Sequence, residues 1–365
     1  IPRSSSFKIG YSFPHTNSMV LDSVDKFFQS IEMVKSRSYV FPLMVDSVKI
    51  REYRAGDEEP LVNTWNEYFR KDPLTLKVFE RKVLLDPNFD ESGLKIAELN
   101  GEIVGFLIGI VRRYPLFYHG LEDENGWITA IAVKPELTRA GAADHLMAEA
   151  FKFFKEKKRK YVWFSPYTPN YFFPGVDPER YGELLALLVR HGFEKTYEAL
   201  SMDAQLYPDY SLPDWVAEAE KKLKEEGVEI QPLETRYIYP LLKFIGENFH
   251  ADWYRHALEL LQSGCDKDQI LIAVKHGEVV GYCQYFHSEE YDWYRPGTHF
   301  GPFGVREDLR GRGIGSVLMA KCLQDMRSRG FHSAFLLWTD KETAKFYSRF
   351  GFKVSRRFYI MRKVL

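Results

Sequence analysis

The run from Val305 to Ser316 (VREDLRGRGIGS) sets three glycines and several charges between an apolar strand and a segment with helical periodicity. In that segment Ile314, Val317, Leu318 and Cys322 recur at helical spacing. Strand, glycine loop, helix is an anion-binding geometry. Glycine allows positive φ and close approach to a ligand, while the unpaired N–H groups and positive end of the helix point to the same place. A pyrophosphate fits there, with Arg310 and Arg312 adding formal charge. A dinucleotide fingerprint is not met, because Ser316 stands where its third glycine belongs, and no Gly-Lys-Ser or Gly-Lys-Thr completes a P-loop. By itself Arg-Gly-Arg-Gly also reads as a surface turn.

A second motif changes that balance. Downstream lies Thr343-Ala344-Lys345-Phe346-Tyr347-Ser348-Arg349-Phe350-Gly351-Phe352, a short helix stopped by Gly351 and followed by a strand. Arg310, Gly313 and Gly315, followed in order by Ala344, Phe346, Tyr347, Gly351 and Phe352, resemble the GNAT acetyltransferase superfamily. The resemblance implies acetyl-CoA as co-substrate and direct transfer of the acetyl group to a primary amine, on a small molecule or a peptide. It also implies that Phe303, Gly304, Val305, Arg310, Gly311, Arg312, Gly313, Ile314, Gly315, Ser316, Ala344 and Phe346 form the coenzyme site. The strand ending at Val305 is expected to splay from that near Phe335–Trp338 and admit pantetheine.

Acyl transfer to an amine needs a base for the amine, donors for the carbonyl oxygen and an acid for the departing thiolate. Tyr347 is expected to be the acid, since a phenol ordinarily titrates near 10, within reach of a thiol. His299, on the strand approaching Val305, is the candidate base because imidazole titrates near neutrality, although a strand histidine also serves structural hydrogen bonds. Glu289, Glu290 and Asp292 are further candidates, and solvent can carry the proton instead. Tyr285, Phe286, Tyr291, Trp293, Tyr294 and Phe300 either wall a substrate cleft or pack a core. No metal is implied: His250 and His256 do not share a helical face, and the three cysteines form no CxxC pair. Cys322 lies on an apolar stripe, which disfavours a covalent acetyl-cysteine route.

The chain repeats itself. Ile96-Ala97 followed by Asn100-Gly101-Glu102-Ile103-Val104-Gly105 matches Ile272-Ala273 followed by His276-Gly277-Glu278-Val279-Val280-Gly281. Each copy reads as two strands joined by a tight turn. Ile131-Ala132-Val133 pairs likewise with Phe303-Gly304-Val305, and Gly192-Phe193 with Gly351-Phe352. The pattern predicts an α/β (α+β) protein with two tandem GNAT-like domains, 46–206 and 207–365. Each should be a mixed, mostly antiparallel sheet flanked by helices. A linker helix is expected where Trp215, Val216, Ala219 and Leu223 fall at helical spacing before Gly227.

The first copy reads as degenerate. Its loop is Thr138-Arg139-Ala140-Gly141-Ala142-Ala143, with one glycine and no counterpart of Arg310, and Leu188 replaces Tyr347. Tyr171-Phe172-Phe173, inside its insertion, is read either as a flap over the second site or as a satellite apolar cluster. Residues 1–45 lack a clear period and are treated as an extension, with Met44 as a candidate natural start.

Composition narrows the rest. Lys plus Arg number 50 and Asp plus Glu 51, so no global positive field favours nucleic acid or acidic membranes. A hydrophobic content of 45% supports buried cores. Few cysteines and no long apolar run suggest a cytoplasmic protein, compatible with a homodimer. The competing reading is a CoA-binding sensor without turnover.

Overall fold

The computed structural model describes residues 48–135, 141–208, 210–288 and 295–365, and the chain from Val45 onward forms one compact unit. In the first half, β1 (Lys49–Glu52) precedes α1 (Glu58–Tyr68) and α2 (Leu76–Phe79), then β2 (Leu94–Leu99), β3 (Glu102–Ile110) and β4 (Asn125–Val133). It closes with α3 (Ala142–Glu156), β5 (Tyr161–Phe164), α4 (Gly182–Arg190) and β6 (Glu194–Gln205). The linker helix α5 (Trp215–Glu225) buries Val216 and Leu223. The second half repeats the order: β7 (Val228–Pro232), α6 (Ile238–Asn248), α7 (Ala251–Gln262), β8 (Ile270–Lys275), β9 (Glu278–Ser288) and β10 (Gly297–Val305). Then come α8 (Ile314–Ser328), β11 (Ser333–Thr339), α9 (Lys341–Ser348) and β12 (Lys353–Val364). The hairpin turns are the expected ones: Asn100 and Gly101 have φ of 54° and 86°, and His276 and Gly277 have φ of 50° and 84°.

The two sheets are not separate. Twelve strands form one sheet in the order β1-β2-β3-β4-β5-β12-β6-β11-β10-β9-β8-β7. Among the described residues only β4–β5 and β10–β11 are parallel neighbours; the other pairs are antiparallel. Each half therefore ends in a strand seated beyond its own sheet. β12 lies between β5 and β6, and β6 lies between β12 and β11. Both are twelve residues long, enough to pair on both sides and leave no open edge where the halves meet.

A charged cluster fixes the same seam. Arg356 on β12 donates to Asp177 at 2.9 Å and to Asp72 at 2.7 Å, both in the first half, and its side chain is only 8% exposed. Separate apolar clusters fill the two halves: one around Trp65, Phe106, Phe154 and Phe164 in the first, and two in the second, around Val317, Leu318, Cys322 and Phe352 and around Leu241, Phe244, Ile272 and Tyr282. Packing explains several aromatics noted from sequence. Tyr285 is buried with its hydroxyl donating to Asp325 at 2.5 Å, and Phe300 lies within the second core. Glu289, Glu290, Tyr291, Asp292, Trp293 and Tyr294 lie outside the described residues, as do 1–45, Met44, Thr138, Arg139 and Ala140.

Candidate active site

The glycine loop opens α8 as its sequence requires. Gly311 and Gly313 have φ of 80° and 91°, a region that L side chains rarely adopt. A Cβ built on either would meet nothing within 4 Å, so the backbone there faces open space. The first helical N–H groups, from Ile314 to Ser316, lack acceptors within the helix. Their surroundings form a cavity of about 1190 Å³.

Phe303, Gly304, Val305, Arg310, Gly311, Gly313, Ile314, Gly315 and Ser316 all line that cavity, as do Phe346 and Tyr347. Phe303 stacks on Phe346 with centroids 5.6 Å apart and planes 14° apart. Arg310 Nε donates to the Val305 carbonyl at 3.1 Å, tying the loop to the end of β10. Gly304 has to be glycine because a Cβ would collide with the Phe249 ring. β10 and β11 share one paired position, His299 with Phe335, whereas β4 and β5 share four. Beyond His299 the two strands therefore diverge, and backbone donors on that side of β10 have no strand partner among the described residues. Backbone N–H cradle, divergent strands and open volume together fit an acyl-coenzyme A thioester.

Three expected site residues turn elsewhere. His299 does not line the cavity. It is buried between Phe286 and Phe335, with centroids at 5.0 and 5.2 Å, and burial pushes its imidazole down to about 3. A ring so reluctant to take a proton, and so placed, is not the base. Arg312 reaches instead toward Glu226, at 3.6 Å. Ala344 is buried in the second core and does not line the cavity.

Tyr347 is buried at the cavity wall, and its hydroxyl has no hydrogen-bond partner among the described residues. Burial raises its pKa, with the Asp340 carboxylate adding to the effect, so the phenol keeps its proton across the neutral range. Arg349, two residues on, also lines the cavity, and its guanidinium lies over the Phe346 ring at 4.9 Å. In sequence it is the next cation after Ala344-Lys345-Phe346-Tyr347.

The rest of the wall carries no sequence signal. The first half supplies His119, Glu122, Asn125, Trp127, Trp163 and Thr168, and the start of α7 supplies His250, Asp252 and Trp253. Trp163 donates from its indole to Asn125 at 3.0 Å. Tyr171 also lines the cavity and meets Trp338 edge-on at 5.8 Å, while Phe172 and Phe173 pack against Trp65. The aromatic insertion is thus part wall and part core.

The corresponding corner of the first half keeps a smaller cavity of about 410 Å³, lined by Ile131, Val133, Ala143, Asp144, Leu187 and Arg190. Gly141 keeps φ at 84°, but Asp144 occupies the position equivalent to Ser316, and Arg190 that of Arg349. These two form an ion pair at 2.9 Å, with His191 2.6 Å from the same carboxylate. The helix start there already faces an anion. Leu188, the counterpart of Tyr347, is fully buried.

The strand–loop–helix unit occurs twice, with parallel strands that diverge in the second copy, and this architecture fits the acyltransferase class. The chain belongs to the acetyltransferase (GNAT) family, whose model matches it twice, at residues 58–171 and 238–352. No curated protein matches. Among solved structures it is similar to the GCN5-related glucosamine N-acetyltransferase region of a fungal multi-domain GH3 β-N-acetylglucosaminidase, with a TM-score of 0.72 and 20% identity over 86% of this chain. This chain spans 38% of the length of that protein. A GCN5-related N-acetyltransferase from Sphaerobacter thermophilus has a TM-score of 0.64 and 18% identity, covering 87% of this chain and 96% of its own. A tandem GNAT protein from the clavulanic acid biosynthesis pathway has a TM-score of 0.58 and 13% identity, covering 87% and 98%. These likenesses establish the fold.

Proposed function

We propose that the second half binds acetyl-CoA and transfers the acetyl group directly to the primary amine of an amino sugar, with the first half forming the acceptor wall. One observation carries the reading: a single cavity holds the glycine cradle, the Tyr347 hydroxyl and an aromatic, carboxylate-bearing wall from the other half. When bound, the thioester supplies an activated carbonyl and a thiol leaving group. The N–H groups of Ile314 to Ser316 and the Arg310 and Arg349 guanidinium groups hold its phosphates. Unpaired amides of β10 around Phe303 to Val305 hold the carbonyl oxygen. Tyr347 Oη holds the proton destined for sulfur.

The acceptor class follows from the wall. Four of the seven tryptophans, Trp127, Trp163, Trp253 and Trp338, line the cavity. Flat indole faces attract the C–H face of a pyranose and an ammonium alike. Asn125 and Thr168 stand beside them as partners for hydroxyls. The fungal glucosamine N-acetyltransferase region supports the same class. Cys265, Cys283 and Cys322 are free thiols, which suits a reducing compartment such as the cytoplasm.

The test is thiol release from acetyl-CoA by the full chain with glucosamine, a polyamine or an amino acid as acceptor. Glucosamine should give the highest kcat/KM. Tight coenzyme binding with no turnover on any amine would instead mark a coenzyme sensor.

A further inference from the structure

We propose that His119, contributed by the first half, is the general base that takes the proton from the acceptor's ammonium group. The assignment rests on the acetyl-transfer reading above and places part of the catalytic machinery in the half that does not bind the coenzyme.

An amine is protonated at neutral pH, so the cavity needs a group that accepts its proton. The carboxylates there are committed. Asp340 caps α9, accepting from the Glu342 and Thr343 amides at 2.8 and 2.9 Å. Asp252 is paired with Arg255 at 2.8 Å. Glu122 is gripped by the buried Arg112 at 2.7 Å and faces His119, and these partners hold its carboxyl down at about 2, despite an opposing effect of burial. Such weak bases do not compete for an ammonium proton.

Two imidazoles remain, with ring centroids 4.3 Å apart: His119 at the end of a 3₁₀ turn in the first half, and His250 at the start of α7. His250 is the wrong tautomer. Its Nδ1 accepts from the Asp252 amide at 3.1 Å, so in the neutral ring the hydrogen is on Nε2, and burial lowers its readiness to take a second. His119 is arranged oppositely. Its Nε2 lies 3.5 Å from Glu122 Oε1, which favours hydrogen on Nε2 and leaves the Nδ1 lone pair available. Glu122 then stabilises the imidazolium, and Arg112 holds Glu122 in place through further bonds to Thr168. The charged and titratable groups facing His119 are thus Glu122 and Arg112 from its own half, and His250 and Asp252 from α7.

The step balances. The ammonium gives one proton to His119 Nδ1, and the freed lone pair forms the C–N bond as the C–S bond breaks. Tyr347 Oη gives its proton to sulfur and recovers one from the acylated nitrogen, so amide and thiol leave and His119 releases its proton to solvent.

The experiment uses the full chain with acetyl-CoA and glucosamine. His119→Gln should lower kcat/KM about 100-fold or more at pH 7, with coenzyme affinity by calorimetry unchanged within twofold. The residual rate should climb about tenfold per pH unit up to the amine's own pKa, because free amine then comes only from solution. Independently of turnover, nitrogen NMR of the wild-type protein at high pH should show His119 as the Nε2–H tautomer. A wild-type pH profile retained by His119→Gln, or an Nδ1–H tautomer, overturns the assignment while leaving coenzyme binding intact. Loss of coenzyme binding in the wild type itself overturns the acetyl-transfer reading as well.

Discussion

Arg190 closes on Asp144 with Nη2 at 2.9 and 3.0 Å from the two carboxylate oxygens, at the same point of the repeat where Arg349 and Ser316 line an open cavity. The first half carries an internal carboxylate at its helix start, beside a smaller cavity, where the second half carries Ser316 beside the larger one.

That contrast predicts unequal effects from equal strain. Gly313→Val and Gly141→Val each force a β-branched residue into positive φ, costing about 1–2 kcal/mol of stability. In calorimetry with CoA, Gly313→Val should weaken binding at least 100-fold, whereas Gly141→Val should leave it within twofold. Retained binding in Gly313→Val would remove the loop from the coenzyme site.

Tyr347→Phe should lower kcat about 100-fold, the smaller end of general-acid effects. Because the hydroxyl has no partner among the described residues, Tm and the Kd for CoA should stay near wild type. Parallel losses in Kd and kcat would mean the ring acts by packing rather than by its proton.

Exchange of β6 and β12 makes each half depend on the other. Residues 207–365 expressed alone should show no cooperative unfolding, since β11 and β12 are bridged by β6, whereas the two halves co-expressed should assemble and unfold as one. Arg356→Ala, which leaves Asp72 and Asp177 without their shared guanidinium, should cost about 3–5 kcal/mol by denaturant titration. An autonomously folding second half would contradict the exchanged topology.

Two histidines, His299 buried and His256 partly buried, set an acid limit. His256 and His299 are held neutral by burial, at about 4 and about 3, while in the unfolded chain each titrates near 6.5. Lowered folded values mean that the unfolded chain binds more protons as pH falls. Stability from these groups is complete above about 6.5 and declines toward 4 and 3, by about 1.4 kcal/mol per pH unit for each ring. Urea midpoints measured at pH 8, 6 and 5 should fall in that order, and His299→Phe should flatten the slope.

Much of this was written along the chain. Asn100-Gly101 and His276-Gly277 fixed two hairpins because only such residues take positive φ cheaply, and the glycines at 311 and 313 fixed the helix start for the same reason. Tyr347 and Phe346 followed from one helical turn. These features are local, decided within a few residues of backbone, and so periodicity and residue type suffice to read them. The acceptor wall, the His119–His250 pair and the strand exchange join residues more than a hundred positions apart. His299 shows the converse, since its ordinary intrinsic pKa says nothing of the aromatic rings that bury it. Which face of β10 meets water, and which half supplies the cavity wall, depended on how two long strands paired, and that pairing exists only in the folded sheet.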